Sequence, residues 1–553
     1  MQRRRFLKVS GFSAASLLFL KVNPVSGQAV QQLAPPDEVA VLSSGKWLSL
    51  TRSRDQWRFE NIVVTLKDHE GKTLVQAQAP AIELEKIRLT WKRSFAPAAN
   101  YLGDHWERSY GDLAWQTASD TRKFPWYLLI NDGAGTYAFG VKTGASSIAY
   151  WQTAPDQLEL FLDTHSGGNG VLLGDRTLNA AEIITTRSLP GEIPFQTDAR
   201  FCKMMCDRPR LPKQPVYGIN DWYFAYGNNS KELILKTTAL ISELVTNGSN
   251  RPFSVIDMGW AVTGIKGSAT YSGDDFTRSN DKFGDMTSVT AEIKKLGMRP
   301  GLWTRPLLAN GNDPESILIP VRKDQTNLSE RYLDPTLPQN LERISKTIRL
   351  YREWGFEMVK HDFTSYDFFG RWGFEMTDAL TATGWHFNDQ SRTNAELLLD
   401  LYRHIREAAG PMYLIGCNTM SHLSAGIFEL NRIGDDTSGK EWARTVKMGV
   451  NTLGFRLPQH QHFYAADGDC VGLTTQIPWE QNKQWLQLLS ESGAPLFVSA
   501  QPEALGNEQK EAVRKSFALA SKPQPTGEPL DWMTNARPVE WKLNGRTVHF
   551  SWQ

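Results

Sequence analysis

The sequence predicts an α/β protein: a (β/α)8 TIM barrel with an N-terminal β-sandwich domain and a small C-terminal β region. Three observations lead to this fold class. Residues 39–201 carry short strand patterns of alternating apolar and polar side chains, with Gly-rich turns between them. Strand and helix patterns alternate after residue 215, as they do in a βα barrel. Further strand patterns follow near the end of the chain.

Length and composition favour an ordered enzyme of several domains. The 553 residues are 41% apolar and 11% aromatic, which is enough to build more than one core. Lys and Arg number 61 and Asp and Glu 60, so the net charge of +1 gives no electrostatic reason to expect a nucleic acid partner. The 19 Trp residues fit either sites that stack flat sugar faces or a Trp-rich core, and composition leaves both open.

Residues 1–29 are predicted to be a signal peptide. A cationic stretch at 3–8 precedes a modestly apolar stretch at 9–20 and a small-residue cleavage region at 25–29. The cationic stretch resembles the twin-arginine export signal, and an ordinary secretory signal is the alternative. Both predict a periplasmic or secreted protein. The apolar stretch is too short and too rich in Ser and Gly for stable membrane insertion, and no later segment is a predicted membrane helix.

The four cysteines are too few for a disulfide scaffold. Cys202 and Cys206 are close enough along the chain to bridge in an oxidising compartment. Cys417 and Cys470 are expected to be unpaired and buried. Two Cys pairs with the spacing of a structural zinc site are absent from the sequence.

The N-terminal β-sandwich domain is predicted at 30–207. Residues 87–92 alternate with period two, and residues 126–141 form a predicted hairpin around a turn at 131–133. A Pro-rich stretch at 208–215 predicts a linker to the next domain.

The barrel is predicted at 216–500, followed by the C-terminal β region at 501–553. Its eight strands are expected at 216–220, 253–257, 298–303, 356–362, 413–417, 428–433, 463–466 and 495–499. An amphipathic helix capped by Asn229 and Glu232 follows the first strand. A doubly wound open sheet is the alternative, and the lack of a Gly-rich phosphate loop after the first strand counts against it.

Polar and aromatic side chains collect where these strands end, which is where barrel enzymes carry their reactive groups. The residues at these positions are Asp221, Trp222, Asp257, Trp260, Trp303, Arg305, Lys360, Asp362, Cys417, Asn418, Arg432, Asp435 and Asp436. Structural charges usually scatter over helices instead, so the set as a whole indicates an active site.

Two pairs within this set predict a nucleophile and an acid. Lys360 and Asp362 are two apart on a strand and share a face, so the lysine is expected to keep the carboxylate ionised, as a nucleophile must be. Asp435 and Asp436 repel each other, so one is expected to hold a proton at higher pH, as a general acid must. The alternatives are an internal ion pair for Lys360 and Asp362, and a helix cap for Asp436.

Residues 215–500 resemble glycoside hydrolase clan D, the melibiase-type α-galactosidases of families 27 and 36. The motifs that carry the resemblance occur in the family's order, and they are Gly218–Trp222, Asp257–Trp260, Gly301–Trp303, Lys360–Asp362 and Arg432–Asp436. The resemblance implies that Asp362 is the nucleophile and Asp436 the acid/base. It also implies that the residues that bind or surround the sugar are Asp257, Trp260, Trp222, Trp303, Lys360, Cys417, Asn418 and Arg432.

The predicted function is therefore that of an exported retaining α-glycosidase, most similar to an α-galactosidase, with a carbohydrate substrate and no cofactor or metal. Met258 departs from the family, whose motif has a second acid there. Loss of a charged hydrogen bond worth about 1.5–3 kcal/mol puts plain galactose in doubt. An α-N-acetylgalactosaminidase, a β-L-arabinopyranosidase and a transglycosylase are the alternatives within this class.

Two alternatives belong to other classes. His460 and His462 lie on one strand face near Asp467, Asp469 and Cys470, which keeps a metal-dependent barrel hydrolase open. A surface or substrate-contact role for both histidines is the expectation. A non-catalytic glycan-binding protein is the other alternative, and the presence of both predicted catalytic acids argues against it. The sequence leaves the oligomeric state open.

Overall fold

The computed structural model describes residues 33–117, 122–245, 248–266, 271–325 and 327–553. The predicted signal peptide at 1–29 lies outside these residues. Within them, none of the helices combines the length and the apolar character needed to cross a bilayer.

The first part of the chain is antiparallel β structure, as the alternating pattern predicts. Its strands are β1 (Glu38–Ser43), β2 (Lys46–Ser49), β3 (Thr51–Ser53), β4 (Gln56–Phe59), β5 (Ile62–His69), β6 (Lys72–Gln78), β7 (Glu83–Leu84), β8 (Lys86–Lys92), β9 (Asn100–Gly103), β10 (Gln116–Thr117), β11 (Phe124–Pro125), β12 (Tyr127–Asn131), β13 (Thr136–Val141), β14 (Ile148–Ala154), β15 (Gln157–Asp163), β16 (His165–Ser166), β17 (Asn169–Leu172) and β18 (Leu178–Arg187). The predicted hairpin at 126–141 is confirmed, since β12 and β13 pair antiparallel.

Fifteen of these strands form two large sheets that face each other, and β7, β16 and β17 form a small third sheet. One sheet has the order β11-β14-β15-β8-β1-β2, and the other has the order β10-β9-β12-β13-β18-β6-β5-β4-β3. Aromatic side chains join the two sheets: Phe139 meets Trp151 at 5.9 Å between ring centroids, and Tyr101 meets Phe124 at 6.3 Å. One face of each sheet is therefore buried against the other sheet.

The following part of the chain alternates strands with helices. Its strands are β19 (Tyr217–Asn220), β20 (Phe253–Ile256), β21 (Ala261–Lys266), β22 (Ser272–Ser279), β23 (Arg299–Thr304), β24 (Met358–His361), β25 (Tyr413–Gly416), β26 (Leu430–Arg432), β27 (Ala465–Asp467), β28 (Cys470–Leu473) and β29 (Leu496–Ala500). Strands β21 and β22 form a separate antiparallel hairpin. The other nine form one parallel sheet with the order β27-β26-β25-β24-β23-β20-β19-β29-β28.

The two end strands of this sheet, β27 and β28, are consecutive pieces of one chain segment. Only Gly468 and Asp469 separate them, while β27 pairs with β26 and β28 pairs with β29. The chain thus brings the two ends of the sheet close together, so the sheet is curled, which is consistent with the predicted barrel. Every strand predicted between 216 and 500 has its counterpart in this sheet.

The first helix packs on strands β13 and β18, and most of the later helices surround the parallel sheet. The α-helices are α1 (Pro194–Met205), α2 (Trp222–Ala225), α3 (Lys231–Ser242), α4 (Met286–Lys295), α5 (Pro338–Glu353), α6 (Thr364–Phe369), α7 (Asn394–Ala409), α8 (Ser421–Ser424), α9 (Trp442–Thr445), α10 (Thr452–Arg456), α11 (Trp479–Glu491) and α12 (Asn507–Ala520). A π-helical segment, Val446–Asn451, connects α9 to α10. Short 3-10 helices lie at Glu315–Ile317, Gly373–Glu375, Leu457–Gln459 and Pro502–Ala504.

The N-terminus of α3 differs from the prediction. Its cap is Ser230, whose side chain accepts a hydrogen bond from the Leu233 amide, and not Asn229. The Asn229 amide instead donates to the Asp221 carboxylate at 2.7 Å, because that buried carboxylate requires a donor.

The tail combines a helix with a small sheet. Strands β30 (Glu528–Pro529), β31 (Glu540–Leu543) and β32 (Arg546–His549) pair antiparallel, as the alternating pattern predicts. The prediction of a β region from residue 501 onward is wrong for α12. This helix packs on the parallel sheet, where Phe517 lies 5.2 Å from Tyr217 between ring centroids.

All four cysteines are free and buried. The expectation for Cys417 and Cys470 is therefore confirmed, and the possible bridge between Cys202 and Cys206 is not formed. Cys202 lies within α1 and Cys206 directly after it. Burial raises the pKa of both thiols.

Candidate active site

A cavity of about 270 Å³ lies where the parallel strands end. Its lining residues are Arg108, Tyr110, Trp222, Asp257, Met258, Trp303, Lys360, Asp362, Phe363, Trp372, Phe374, Asp435 and Asp436. Six of the ten predicted site residues are among them, including both predicted catalytic carboxylates. Parallel strands bring these side chains together because their carboxyl ends meet at one edge of the sheet.

Asp362 follows β24 directly and is held on both carboxylate oxygens. The Trp303 indole donates to Oδ2 at 3.1 Å, and the Phe363 amide donates to Oδ1 at 2.8 Å. Phe363 has a φ of 61°, a left-handed conformation that costs a bulky residue free energy. Strain of this kind, next to a carboxylate that faces a cavity, is typical of a functional site.

The alternative interpretation, an ion pair of Lys360 with Asp362, is wrong, although the Asp362 charge does act on Lys360. The Lys360 ammonium reaches across the strand ends to Asp257, with Nζ 2.8 Å from Oδ2. The Asn220 side-chain amide donates to the same oxygen at 2.7 Å, so the buried Asp257 carboxylate is held in a fixed orientation. Lys360 is buried, which lowers its pKa, but the charges of Asp257 and others outweigh burial and raise the pKa above its ordinary value.

Asp221 lies behind this pair and does not line the cavity. Its carboxylate accepts hydrogen bonds from the Asp257 amide at 2.7 Å and from the Asn229 side chain at 2.7 Å. Burial, with the nearby charge of Asp257, raises the pKa of Asp221 to about 7. The additional carboxylate that the sequence places near the pocket therefore carries a proton through much of the acidic range.

Asp435 and Asp436 are surrounded by arginines. Asp435 pairs with Arg108 at 2.7 Å and with Arg444 at 2.8 Å. Asp436 pairs with Arg432 at 2.9 Å and lies 3.9 Å from Arg108. Each carboxylate thus has one cationic partner of its own, and both lie near Arg108.

The pKa of Asp436 is lowered, contrary to the expectation that its neighbour raises it. Burial alone raises this pKa, but the positive charges of Arg432, Arg108, Lys360 and Arg444 outweigh burial. The repulsion expected from Asp435 is offset because that carboxylate is itself neutralised by two arginines.

The other four predicted site residues lie behind the cavity wall. Trp260 is fully buried and donates its indole N–H to the Trp303 carbonyl at 2.8 Å. Arg432 is buried against Asp436 and Asp469, and its contact with sugar hydroxyls stays a prediction. Cys417 and Asn418 contact residues 104–113.

Residues 104–113, a segment that precedes the parallel sheet in the chain, reach the active site. The Arg108 guanidinium contacts the Cys417 sulfur at 3.7 Å. The Asn418 amide donates to the buried Glu107 carboxylate at 2.7 Å. Sequence reasoning missed Arg108 and Tyr110, since no strand-end position or motif marks them.

The loops after the parallel strands add aromatic side chains that the sequence analysis also missed. Phe363, Trp372 and Phe374 line the cavity together with Tyr110. Trp372 lies 5.5 Å from Phe363 between ring centroids, and Phe363 lies 6.4 Å from Trp303. A signal was available for these residues: they follow closely on the predicted nucleophile motif.

The histidine pair does not join this cavity. His460 is buried, and its Nδ1 accepts a hydrogen bond from the Ala466 amide at 3.1 Å, so a surface role is wrong for it. Burial lowers the pKa of His460 to about 4. Asp469 instead binds Arg432 and Thr437. Among the residues that the structure describes, no cluster of His, Cys, Asp and Glu side chains is arranged to hold a metal ion.

No protein-family model and no curated protein sequence matches the chain. Solved structures do match it. An α-galactosidase from Thermus thermophilus, in complex with p-nitrophenyl α-D-galactopyranoside, has a TM-score of 0.60 at 16% identity, covering 93% of this chain and 99% of its own. The fold is that of an α-galactosidase.

Two further solved structures of α-galactosidases have the same fold. The galactosidase domain of an α-galactosidase-sucrose kinase has a TM-score of 0.57 at 14% identity, covering 87% of this chain and 73% of its own. A family 36 α-galactosidase from Geobacillus stearothermophilus, in complex with raffinose, has a TM-score of 0.56 at 13% identity, with coverages of 92% and 79%. The resemblance to clan D is confirmed at the level of the fold.

Proposed function

We propose that this protein is an exported retaining α-glycosidase of the α-galactosidase type, which hydrolyses terminal α-linked sugars of oligosaccharides or polysaccharides. The observation that carries the proposal is that Asp362 and Asp436, from the ends of two strands of one parallel sheet, line the same cavity. Two carboxylates that flank one sugar are the machinery of most glycosidases.

Asp362 is the nucleophile in this proposal. Its carboxylate attacks the anomeric carbon and forms a covalent glycosyl-enzyme, while Asp436 protonates the departing oxygen. The hydrogen bonds from Trp303 and from the Phe363 amide fix the orientation of the attacking carboxylate. In the second step Asp436 takes a proton from water, which attacks the anomeric carbon and releases Asp362.

The arginines around Asp436 impose a condition on the first step. Because they lower its pKa in the empty cavity, Asp436 is ionised there at neutral pH. A proton has to reach this carboxyl in the substrate complex before the leaving oxygen departs. The same cations, Arg432 and Arg108, then stabilise the carboxylate that remains.

Asp257 and Lys360 form the polar wall of the cavity, and Met258 an apolar one. The Met258 side chain is 38% exposed and lines the cavity where the clan has an acid. This observation favours a clan relative with another sugar preference, an α-N-acetylgalactosaminidase or a β-L-arabinopyranosidase, as the second candidate. Transfer to a sugar acceptor instead of water is compatible with the same carboxylate pair.

The test is a panel of p-nitrophenyl glycosides: α-galactoside, α-N-acetylgalactosaminide, α-glucoside and β-L-arabinopyranoside. We expect turnover of at least one of them. Asp362→Ala and Asp436→Ala should each lower kcat by roughly 10²–10⁴-fold or more, because each removes a group that acts on the reacting bond. Asp156→Ala, on an exposed turn between β14 and β15, is the matched control and should keep full activity.

Near-normal turnover by both variants would overturn the assignment of the two carboxylates. Loss of activity in a strong chelator would support the metal-dependent hydrolase instead. Binding of glycans without turnover of any panel member would support the glycan-binding protein.

Two finer features belong to the same proposal. We infer that the parallel sheet closes as a (β/α)8 barrel, which the consecutive end strands β27 and β28 support. Export to the periplasm or medium is supported by the sequence of residues 1–29. Fractionation of cells that produce the full chain tests this part.

A further inference from the structure

An exposed aromatic side chain stands at the mouth of the cavity. Phe374 is 62% exposed although it lines the same cavity as the two carboxylates. Its ring meets Tyr110 edge to face, with 4.9 Å between centroids. Large apolar side chains that remain exposed beside a polar cavity mark a binding surface.

The two rings come from different parts of the chain and are held by one buried carboxylate. Glu107 accepts hydrogen bonds from the Tyr110 hydroxyl, from the Gly373 amide at 2.9 Å and from the Asn418 amide at 2.7 Å. The Ser365 hydroxyl is a further donor. Glu107 thus fixes both Tyr110 and the 3-10 helix Gly373–Glu375, so Phe374 is presented in a defined position.

Two of these aromatic rings lie beside the arginine that is next to Asp436. The Arg108 guanidinium is 3.9 Å from the Asp436 carboxylate, 6.0 Å from the centre of the Tyr110 ring and 5.7 Å from that of Trp372. Of the two catalytic carboxylates, Asp436 is the one that protonates the leaving oxygen in the proposed reaction. In that reaction the group attached through this oxygen leaves past Arg108, beside which Tyr110 and Trp372 lie, with Phe374 against Tyr110.

We propose that Tyr110, Trp372 and Phe374 form a subsite for the leaving group, which binds the apolar face of a second sugar ring. This inference rests on the proposed function. A sugar ring carries C–H groups on one face and hydroxyls around its edge, which suits aromatic rings on one side and Arg108 with Asp435 nearby. The subsite is shared between the N-terminal segment 104–113 and the loop after β24.

The test compares two substrates that share one sugar and differ in the leaving group. Cleavage of melibiose releases a sugar ring, whereas cleavage of α-D-galactosyl fluoride releases only fluoride. If the panel identifies another sugar, the same pair of substrates is built on that sugar. Phe374→Ala should lower kcat/KM for the disaccharide about fivefold and change the value for the fluoride less than about twofold. Phe59→Ala, which removes an exposed phenyl ring on β4, should change neither value.

The outcomes distinguish failure of the subsite from failure of the proposed function. A larger loss on the disaccharide than on the fluoride supports the subsite. Equal losses on both substrates, or no loss on either, would overturn the subsite and leave the proposed function standing. If the unmodified protein turned over no glycoside, the proposed function would fail and this inference with it.

Discussion

Asp469 holds the surroundings of the proposed acid/base in place. Its Oδ2 accepts hydrogen bonds from the Thr437 amide at 2.8 Å and from the Thr437 hydroxyl at 2.9 Å. The Tyr223 hydroxyl and the Arg432 guanidinium bind the same oxygen. Asp469 has a φ of 74°, so the chain adopts a costly conformation where this carboxylate is placed.

Asp469→Asn should lower kcat/KM roughly tenfold and move its pH profile to more acidic values. Arg432 then loses a buried counter-charge and acts more strongly on Asp436, whose pKa falls further. Asparagine accepts a left-handed conformation, so the backbone should be preserved. A pH–rate profile beside a thermal melt checks this; an unchanged profile would show that Asp469 has only a structural role.

Asp221 predicts a pH dependence of stability. Its folded pKa of about 7 lies above the value of about 3.9 expected when unfolded, so the folded state binds more protons between these values. Asp221 therefore contributes to the free energy of unfolding at low pH, and this contribution is lost as the pH rises from about 4 to about 7. Asp221→Asn removes the dependence.

The measurement is the difference in melting temperature between Asp221→Asn and the unmodified protein. This difference should be more favourable to the variant at pH 7.5 than at pH 4.5, while the contributions of other titrating groups cancel. A difference that does not vary with pH would mean that the Asp221 carboxyl is ionised in the folded protein throughout.

At the scale of an element, the segment 104–113 determines how the active site is completed. It passes so close to the π-helical segment Val446–Asn451 that Gly111 has no room for a side chain. A Cβ there would lie 2.2 Å from the Lys447 carbonyl oxygen, and Gly111 also has a φ of +71°. The close contact places Arg108 and Tyr110 at the cavity.

Gly111→Ala should destabilise the protein by about 1–3 kcal/mol and lower kcat/KM several-fold, because the segment has to move and carries Arg108 with it. Gly133→Ala is the matched control. Gly133 has a φ of +84°, but no other atom lies within 4 Å of the place that a Cβ would take, so this variant tests the conformational cost alone. Equal loss of activity in both variants would contradict a role for the close contact.

The elements of the parallel sheet could be predicted because their signals are local. Short apolar strands, each ended by a polar side chain, identify both the strand and its carboxyl end. Asp257, Asp362 and Asp436 were found in this way. The ion-pair partner of Lys360 could not be predicted in this way, because a long side chain can reach carboxylates on several strands.

At the scale of the whole molecule, the parts that could not be predicted depend on how distant segments meet. Arg108 contacts Cys417, 309 positions away, and nothing in the pattern around either residue indicates the contact. Tryptophan shows the same limit: Trp126 and Trp151 are in the core, whereas Trp222 is only partly buried and lines the cavity. Stacking of a Trp side chain on a sugar face stays a prediction.

The buried Glu107 carboxylate has a practical consequence for protein engineering. Because its donors include Ser365, Gly373 and Asn418, the N-terminal β unit is a part of the candidate active site and not an interchangeable accessory module. A chimera that joins the corresponding unit of a relative to residues 216–553 must keep residues 104–113 of this protein. Otherwise the residues on both sides of this contact have to be redesigned together.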